Sequence, residues 1–145
     1  MKGSYCLIIK NKKQKKINIG AIGCIDFKGG FYVYIGSAMN SLIPRIERHI
    51  SDDKKIHWHI DYFLKNKYTM IEEILFNIGE EKIECDLAKF ISKKGQNISN
   101  FGSSDCKCDS HLIYFKNKND CLKHTKKAYE RLNIDYYDFN CFKSL

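Results

Sequence analysis

The segment FYVYIGSAMN, residues 31–40, runs from aromatic and β-branched apolar residues directly into glycine, serine and asparagine. This composition predicts a buried strand ending at Gly36, because aromatic and β-branched side chains favour strands and glycine interrupts them. Two further apolar runs precede it, at residues 4–10 and 17–25, with polar turn residues between the runs. We therefore expect an antiparallel meander of three strands.

The hydrophobic period changes after Gly36. Apolar residues then recur at helical spacing, with basic residues beside them: Leu42, Ile43, Ile46 and Ile50, then Arg45, Arg48 and His49. Further helices are predicted at 56–66, 81–95 and 119–132, and strands at 68–78 (where a helix also fits) and at HLIYF, residues 111–115. These patterns predict an α/β (α+β) fold in which a small three-stranded antiparallel sheet is flanked by helices.

The length of 145 residues fits a single domain over residues 1–145. Its core is expected at about 1–100, and a Cys/His loop, a helix and an aromatic tail occupy 101–145. No apolar run approaches the roughly 20 residues of a membrane helix, and the N-terminal apolar stretch is too short for a signal peptide. We therefore expect a cytoplasmic protein without a membrane partner.

The formal net charge of +8 favours a polyanionic partner, nucleic acid first. The segment KNKKQKK, residues 10–16, is expected to project from the first hairpin, where lysines contact phosphates without reading sequence. Its candidate nucleic-acid-binding residues are Lys12, Lys13, Lys15 and Lys16. The alternative is a lysine-rich surface and turn that are simply solvated.

Seven cysteines cannot all pair within the chain, and without a secretory signal reduced thiols are expected. Four soft ligands could form a zinc site: Cys85, Cys106, Cys108 and His111. Cys-x-Cys spacing is less diagnostic than Cys-x-x-Cys. A redox-active thiol set and a buried structural cluster therefore remain alternatives.

An ordered set of motifs resembles the GIY-YIG nuclease superfamily: GSY at 3–5, YIG at 34–36 and LIPRIERH at 42–49. The stretches HWHIDYF and GSSDCKCDSHLIYF resemble an uncharacterised prokaryotic branch, some of whose members are fused to DNA glycosylases. The resemblance covers nearly the whole chain. It implies a metal-dependent endonuclease that acts on DNA in repair or recombination, with a DNA-repair protein as a candidate partner.

The resemblance also implies roles for single residues. Tyr34 would be the general base or would position water, with Tyr5 beside it across the sheet. A phenol is a poor base at neutral pH unless cations lower its pKa, and Arg45 and the metal are the candidates. Arg45 would contact the scissile phosphate, and His49 would shuttle a proton. Gly36 would leave room for that phosphate.

A second group of implied residues lies further along the chain. On a helix, one of His57 and His59 would act in catalysis, and the spacing from Arg45 favours His57. On a strand both would share a face as a metal-binding pair, and simple packing of His-Trp-His is the other alternative. Glu84 would hold Mg²⁺ or Mn²⁺, which needs only one or two carboxylates. Its rivals as the metal ligand are Glu72, Glu73, Glu80 and Glu81, and the candidate asparagines near the metal are Asn97 and Asn100. Arg48 is expected on the exposed basic face of the same helix as Arg45, where it is a further candidate nucleic-acid-binding residue.

One position departs from the family pattern. The repair branch carries lysine directly after its Tyr-x-Gly motif, whereas this chain has Ser37, as the homing branch tolerates. Two other functions therefore stay open. One is a catalytically inactive nucleic-acid-binding module of the same fold, and the other is a zinc-stabilised interaction domain.

Overall fold

The two longest strands are apolar on both faces, which is typical of strands covered on both sides of a sheet. A computed structural model of the chain describes residues 1–104, 106–138, 140 and 143. It contains, in chain order, β1 (Gly3–Asn11), β2 (Lys15–Asn18), β3 (Cys24–Phe27), β4 (Gly30–Ala38), α1 (Leu42–Ile50), α2 (His59–Leu64), β5 (Thr69–Phe76), α3 (Glu84–Ser92), β6 (Gln96–Asn97), β7 (Leu112–Phe115) and α4 (Lys118–Arg131). The strands β1 and β4 are almost wholly buried.

Five strands form one sheet in the order β5-β1-β4-β7-β6, and every neighbouring pair is antiparallel. On one face, Leu7 and Ile9 pack with residues of α1 and α2. On the other face, Ile8 and Ile35 pack against residues of α3 and α4. This alternation along β1 gives three layers, with the sheet in the middle.

The predicted α+β class with an antiparallel sheet and flanking helices is confirmed, but the three-stranded sheet is wrong. The main sheet has five strands, and β1 pairs directly with β4. Residues 17–25 do not form its middle strand. Positive φ angles at Gly20 (57°) and Gly23 (94°) interrupt that run, which becomes part of the separate two-stranded β2-β3 sheet. The apolar pattern alone does not reveal this interruption.

The predicted helices and the strand at 68–78 are confirmed within the described residues, with bounds that differ by a few residues. Pro44 lies in the first turn of α1, where its missing N–H costs no helical hydrogen bond. The described part of the tail returns to the sheet, because the backbones of Tyr137 and Phe76 exchange hydrogen bonds of 2.8 and 3.0 Å. Among the described residues, none of the helices is long and apolar enough to span a membrane.

Gly36 leaves room for a side chain of the neighbouring strand, rather than for the phosphate expected from the sequence. It lies opposite Tyr5, and a Cβ atom at position 36 would lie 2.5 Å from the Tyr5 hydroxyl oxygen. Tyr5 is only 1% exposed, so its ring has little space into which to move.

We expect Gly36→Ala to lower the free energy of unfolding by about 1–3 kcal/mol, because overpacking displaces the Tyr5 ring. Urea denaturation followed by circular dichroism measures the change. Gly79→Ala is the matched control, since its Cβ would meet only Asn77 Nδ2, at 3.8 Å. Equal unfolding midpoints for the two variants would contradict this account of Gly36.

Candidate active site and metal centre

A cavity of about 390 Å³ opens between β1, β4, the first turn of α3 and the loop before β7. Five residues predicted from the sequence line it: Tyr5, Tyr34, Arg45, His57 and Glu84. We call this cavity the tyrosine cleft. It brings together positions from five separate parts of the chain, so these residues can act on one ligand.

The two tyrosines lie on the same face of the sheet. Tyr5 is opposite Gly36 and Leu7 is opposite Tyr34, which makes the tyrosines diagonal neighbours with ring centroids 6.5 Å apart. Both are at least nine-tenths buried, so only a small part of each side chain is exposed in the cleft. This agrees with the expectation that Tyr5 flanks Tyr34 across the sheet.

Burial makes both phenols harder to ionise. It raises the pKa of Tyr5 to about 12, although the Arg45 guanidinium opposes this shift. Burial also raises the pKa of Tyr34, with the neighbouring Tyr5 adding to the rise. The Arg45 guanidinium opposes the rise at Tyr34, but desolvation outweighs this single cation.

His49 lies behind Tyr5 and is 2% exposed. Its Nε2 is 2.7 Å from the Tyr5 hydroxyl, and a hydrogen bond joins the two groups. Burial lowers the pKa of His49 to about 3, so the imidazole is neutral at physiological pH. This environment disfavours the predicted proton shuttle, and it assigns His49 to the positioning of Tyr5.

Arg45 lines the cleft, as the resemblance implied. Its Nη1 donates a hydrogen bond of 3.1 Å to the carbonyl oxygen of Ser37, and its guanidinium lies 4.6 Å from the centre of the Trp58 ring. A guanidinium has five N–H donors, so donors remain for an anionic ligand. The backbone carbonyl of Ser37 thus orients Arg45. Position 37 is the one at which the repair branch carries lysine.

Arg48 pairs with a buried carboxylate, so it does not lie free on the exposed helix face expected from the sequence. Its two terminal nitrogens donate to Asp61 at 3.0 and 2.9 Å, and the Asp61 side chain is fully buried. Nη2 also donates to the carbonyl oxygen of Lys55. Since Asp61 is desolvated, this ion pair supports the fold rather than DNA binding.

Asp61 also accepts hydrogen bonds from the backbone N–H groups of His57 and Trp58, at 2.9 and 2.8 Å. Burial opposes ionisation of this carboxyl. The hydrogen bonds from Arg48, Trp58 and His57 outweigh burial and hold the pKa of Asp61 below its ordinary value. Asp61 therefore fixes the segment that carries His57 to the cleft.

His57 precedes α2 and His59 begins it, and both line the cleft. Nδ1 of His59 accepts a hydrogen bond of 2.9 Å from the N–H of Gly102. His57 is exposed at the mouth of the cleft, where its ring packs edge-on against Trp58. Nδ1 of His59 is thus engaged by the backbone, whereas His57 lies at the mouth of the cleft, and the preference for His57 in catalysis stays a prediction.

Glu84 is the first residue of α3. Its Oε2 atom is buried without a hydrogen-bond partner within the described part of the chain, and the residue lines the cleft. Two rivals have other partners: Glu80 pairs with Lys2, and Glu72 pairs with Lys118. The position of Glu84 thus agrees with its predicted role as the carboxylate of the cleft.

The residues Cys85, Cys106, Cys108 and His111 lie together, and their ligand atoms are all within 4.8 Å of one another. We call them the Cys/His cluster. Nε2 of His111 is 3.8 Å from Cys85 Sγ and 3.5 Å from Cys106 Sγ. A zinc tetrahedron has an S···N edge of about 3.6 Å, calculated from its usual bond lengths. The cluster could therefore bind a metal ion without a large rearrangement.

The predicted nucleic-acid-binding lysines are all exposed: Lys12, Lys13, Lys15 and Lys16. The expected first hairpin is wrong, because β1 and β2 do not pair, and Lys15 and Lys16 belong to β2. They lie beyond the end of β1, whereas Tyr5 is near its beginning. At about 3.3 Å per residue, Lys12 is roughly 20 Å along the strand from Tyr5. Any phosphate bound there is thus well removed from the cleft.

Fold and site define an α+β protein in which a tyrosine cleft adjoins a cluster of metal-ligand residues. Residues 4–134 match the family described as "Domain of unknown function DUF123". Because the match spans most of the chain, the protein belongs to this family. No curated protein and no solved structure matches the chain.

Proposed function

We propose that the protein is a metal-dependent DNA endonuclease of the GIY-YIG type, with its active site in the tyrosine cleft. The observation that carries this proposal is the convergence of Tyr5, Tyr34, Arg45, His57 and Glu84 on one cavity. The net charge of +8 favours a polyanionic substrate. A role in DNA repair or recombination, with a repair protein as partner, remains a prediction from the resemblance.

The cleft offers the groups that phosphodiester hydrolysis requires. Arg45, oriented by Ser37 and Trp58, would bind the scissile phosphate and stabilise charge on its non-bridging oxygens. The hydroxyl of Tyr34 would orient the attacking water by hydrogen bonding, since its raised pKa disfavours a role as base. His57 would accept the proton, because imidazole is the commonest general base in proteins.

Glu84 fits the divalent ion implied by the resemblance, because one of its oxygens is buried in the cleft wall without a partner among the described residues. A single carboxylate suffices for Mg²⁺ or Mn²⁺, which take their other ligands from water and phosphate. When bound, the ion would supply Lewis-acid stabilisation of the phosphate. Glu84 would hold the ion in the cleft that Arg45 also lines.

The Cys/His cluster is proposed to bind Zn²⁺. Three thiolates and one imidazole form a complete ligand set of the type found in structural zinc sites. The structure places Cys85 in α3 and the other three ligands in the segment before β7. Zinc would thus join two segments that are distant in sequence.

Nicking of supercoiled plasmid in the presence of Mg²⁺ or Mn²⁺ tests the nuclease proposal. We expect Glu84→Gln to lower the nicking rate at least about tenfold, because the amide loses the charge that holds the ion. Glu47→Gln is the control, since Glu47 is exposed on α1 and is not a candidate ligand. Equal nicking by Glu84→Gln and the wild type would remove Glu84 from the site.

An inactive nucleic-acid-binding module is the second candidate, and the raised pKa values of both tyrosines favour it. It predicts salt-dependent retardation of DNA without metal-dependent nicking. A zinc-stabilised interaction domain, favoured by the Cys/His cluster, predicts bound zinc and little affinity for DNA.

A further inference from the structure

The tyrosine cleft and the Cys/His cluster are adjacent and share residues, which form a common wall between them. Cys106 and His111 line the cleft while contributing ligand atoms to the cluster. Cys85 of the cluster directly follows Glu84 in α3. Occupation of the cluster therefore bears on the geometry of the cleft.

The first turn of α3 packs on the core through Ile83 and Leu87, but no side-chain cap holds its N-terminal end. Its N-cap residue, Ile83, makes no side-chain capping hydrogen bond. Cys85 instead faces His111, with 3.8 Å between Sγ and Nε2. A metal bound by both residues would fix this turn against the loop, and with it the direction of the neighbouring Glu84 side chain.

The opposite side of the shared wall is the loop that carries Cys106, Cys108 and His111. Gly102 of this loop donates its N–H to His59, and a Cβ at Gly102 would lie 3.1 Å from Cε1 of Tyr34. The same loop is also joined to the cluster, because the carbonyl oxygen of Phe101 accepts a hydrogen bond of 2.8 Å from the N–H of His111. A displaced loop would therefore alter the cleft beside Tyr34 as well.

We propose that zinc in the Cys/His cluster positions Glu84 and the loop residues Cys106, Cys108 and His111, so that divalent-ion binding in the tyrosine cleft depends on zinc occupancy. The proposal rests on the proposed function, since it assigns Glu84 to ion binding. It makes the protein a two-metal system in which zinc is structural and the cleft ion acts on the substrate. Zinc loss would then switch off cleavage without altering a residue of the cleft.

Cys108→Ser is the sharpest test, because it removes a zinc ligand without changing any of the five predicted cleft residues. Cys24→Ser is the matched control, since Cys24 is an exposed thiol in the small β2-β3 sheet. Elemental analysis measures zinc per chain. Electron paramagnetic resonance of Mn²⁺ measures ion binding to the full chain without DNA, so this readout does not depend on nicking.

We expect stoichiometric zinc in the wild type and in Cys24→Ser, and loss of zinc in Cys108→Ser. The Mn²⁺ dissociation constant of Cys108→Ser should rise about 10–100-fold, the usual effect of losing a group that orients a metal ligand. Wild-type protein without zinc, or without Mn²⁺ binding, would overturn the proposal. So would a zinc-free Cys108→Ser protein with wild-type Mn²⁺ affinity.

If Cys108→Ser does not fold, zinc is stripped from the wild type with a chelator, which is then dialysed away before the Mn²⁺ titration. Recovery of Mn²⁺ affinity on addition of zinc supports the proposal, and affinity that never changed refutes it. Zinc-dependent Mn²⁺ binding without any nicking would refute the nuclease function alone. Nicking that is independent of zinc would refute the zinc linkage alone.

Discussion

Arg45→Ala is expected to slow DNA nicking by about 10²–10³-fold, the effect of removing one preorganised donor from a developing negative charge. Arg45 is held in the cleft by the carbonyl oxygen of Ser37 and by the Trp58 ring. It is therefore oriented before substrate binds. Initial rates of plasmid nicking, measured at saturating Mg²⁺ or Mn²⁺, give the ratio of variant to wild type.

Two further variants separate the charge of Arg45 from its shape. Arg45→Lys keeps the charge but loses the planar fork, so it should recover only part of the rate. Arg131→Ala removes an exposed arginine of α4 and should nick like the wild type. A fully active Arg45→Ala protein would exclude Arg45 from phosphate binding, provided that its melting temperature shows an intact fold.

The main elements of the fold could be predicted because their apolar patterns are strong and local. Runs of aromatic and β-branched residues mark β1 and β4, and helical spacing marks α1. The pairing of strands was not predictable in the same way, since it depends on contacts between distant residues. The interruption at Gly20 and Gly23 removed the second apolar run from the main sheet, although that run reads as an ordinary strand.

Arg45 and Arg48 differ in their partners, and the sequence did not predict this difference. Both arginines lie on α1 and both stack on Trp58, at 4.6 and 4.4 Å from its ring centre. Arg48 pairs with the buried Asp61, whereas Arg45 donates to the Ser37 carbonyl oxygen and lines the cleft. No helical pattern predicts the partner Asp61, because it comes from the segment around α2.

The burial of individual side chains in the site was also not predictable from the sequence. His49 follows Arg45 by one helical turn, which suggested a catalytic histidine, but the ring is enclosed behind Tyr5. Lys82 lines the cleft and was not among the candidates, because one lysine in a lysine-rich chain carries no distinguishing signal. The four residues of the Cys/His cluster were identified, since soft ligands are scarce enough to stand out.

Asp61→Ala is expected to lower the free energy of unfolding by about 3–5 kcal/mol, the usual cost of removing one partner from a buried ion pair. The variant leaves Arg48 without its carboxylate and the backbone N–H groups of His57 and Trp58 without their acceptor. Urea denaturation at pH 7 measures the loss. Asp52→Ala, at an exposed position, is the control and should change stability by less than about 0.5 kcal/mol.

The same carboxylate predicts how stability depends on pH. The pKa of Asp61 is lower in the folded protein than its ordinary value of about 3.9, so its contribution is complete above that value. The contribution is lost as pH falls through the folded pKa. Asp61→Asn, a milder change that retains one acceptor, should therefore be less stable than the wild type at pH 7, with the difference shrinking below pH 4. A difference that stays constant down to pH 2 would mean that the charge of Asp61 contributes nothing, and that shape and hydrogen bonding alone hold His57 at the cleft.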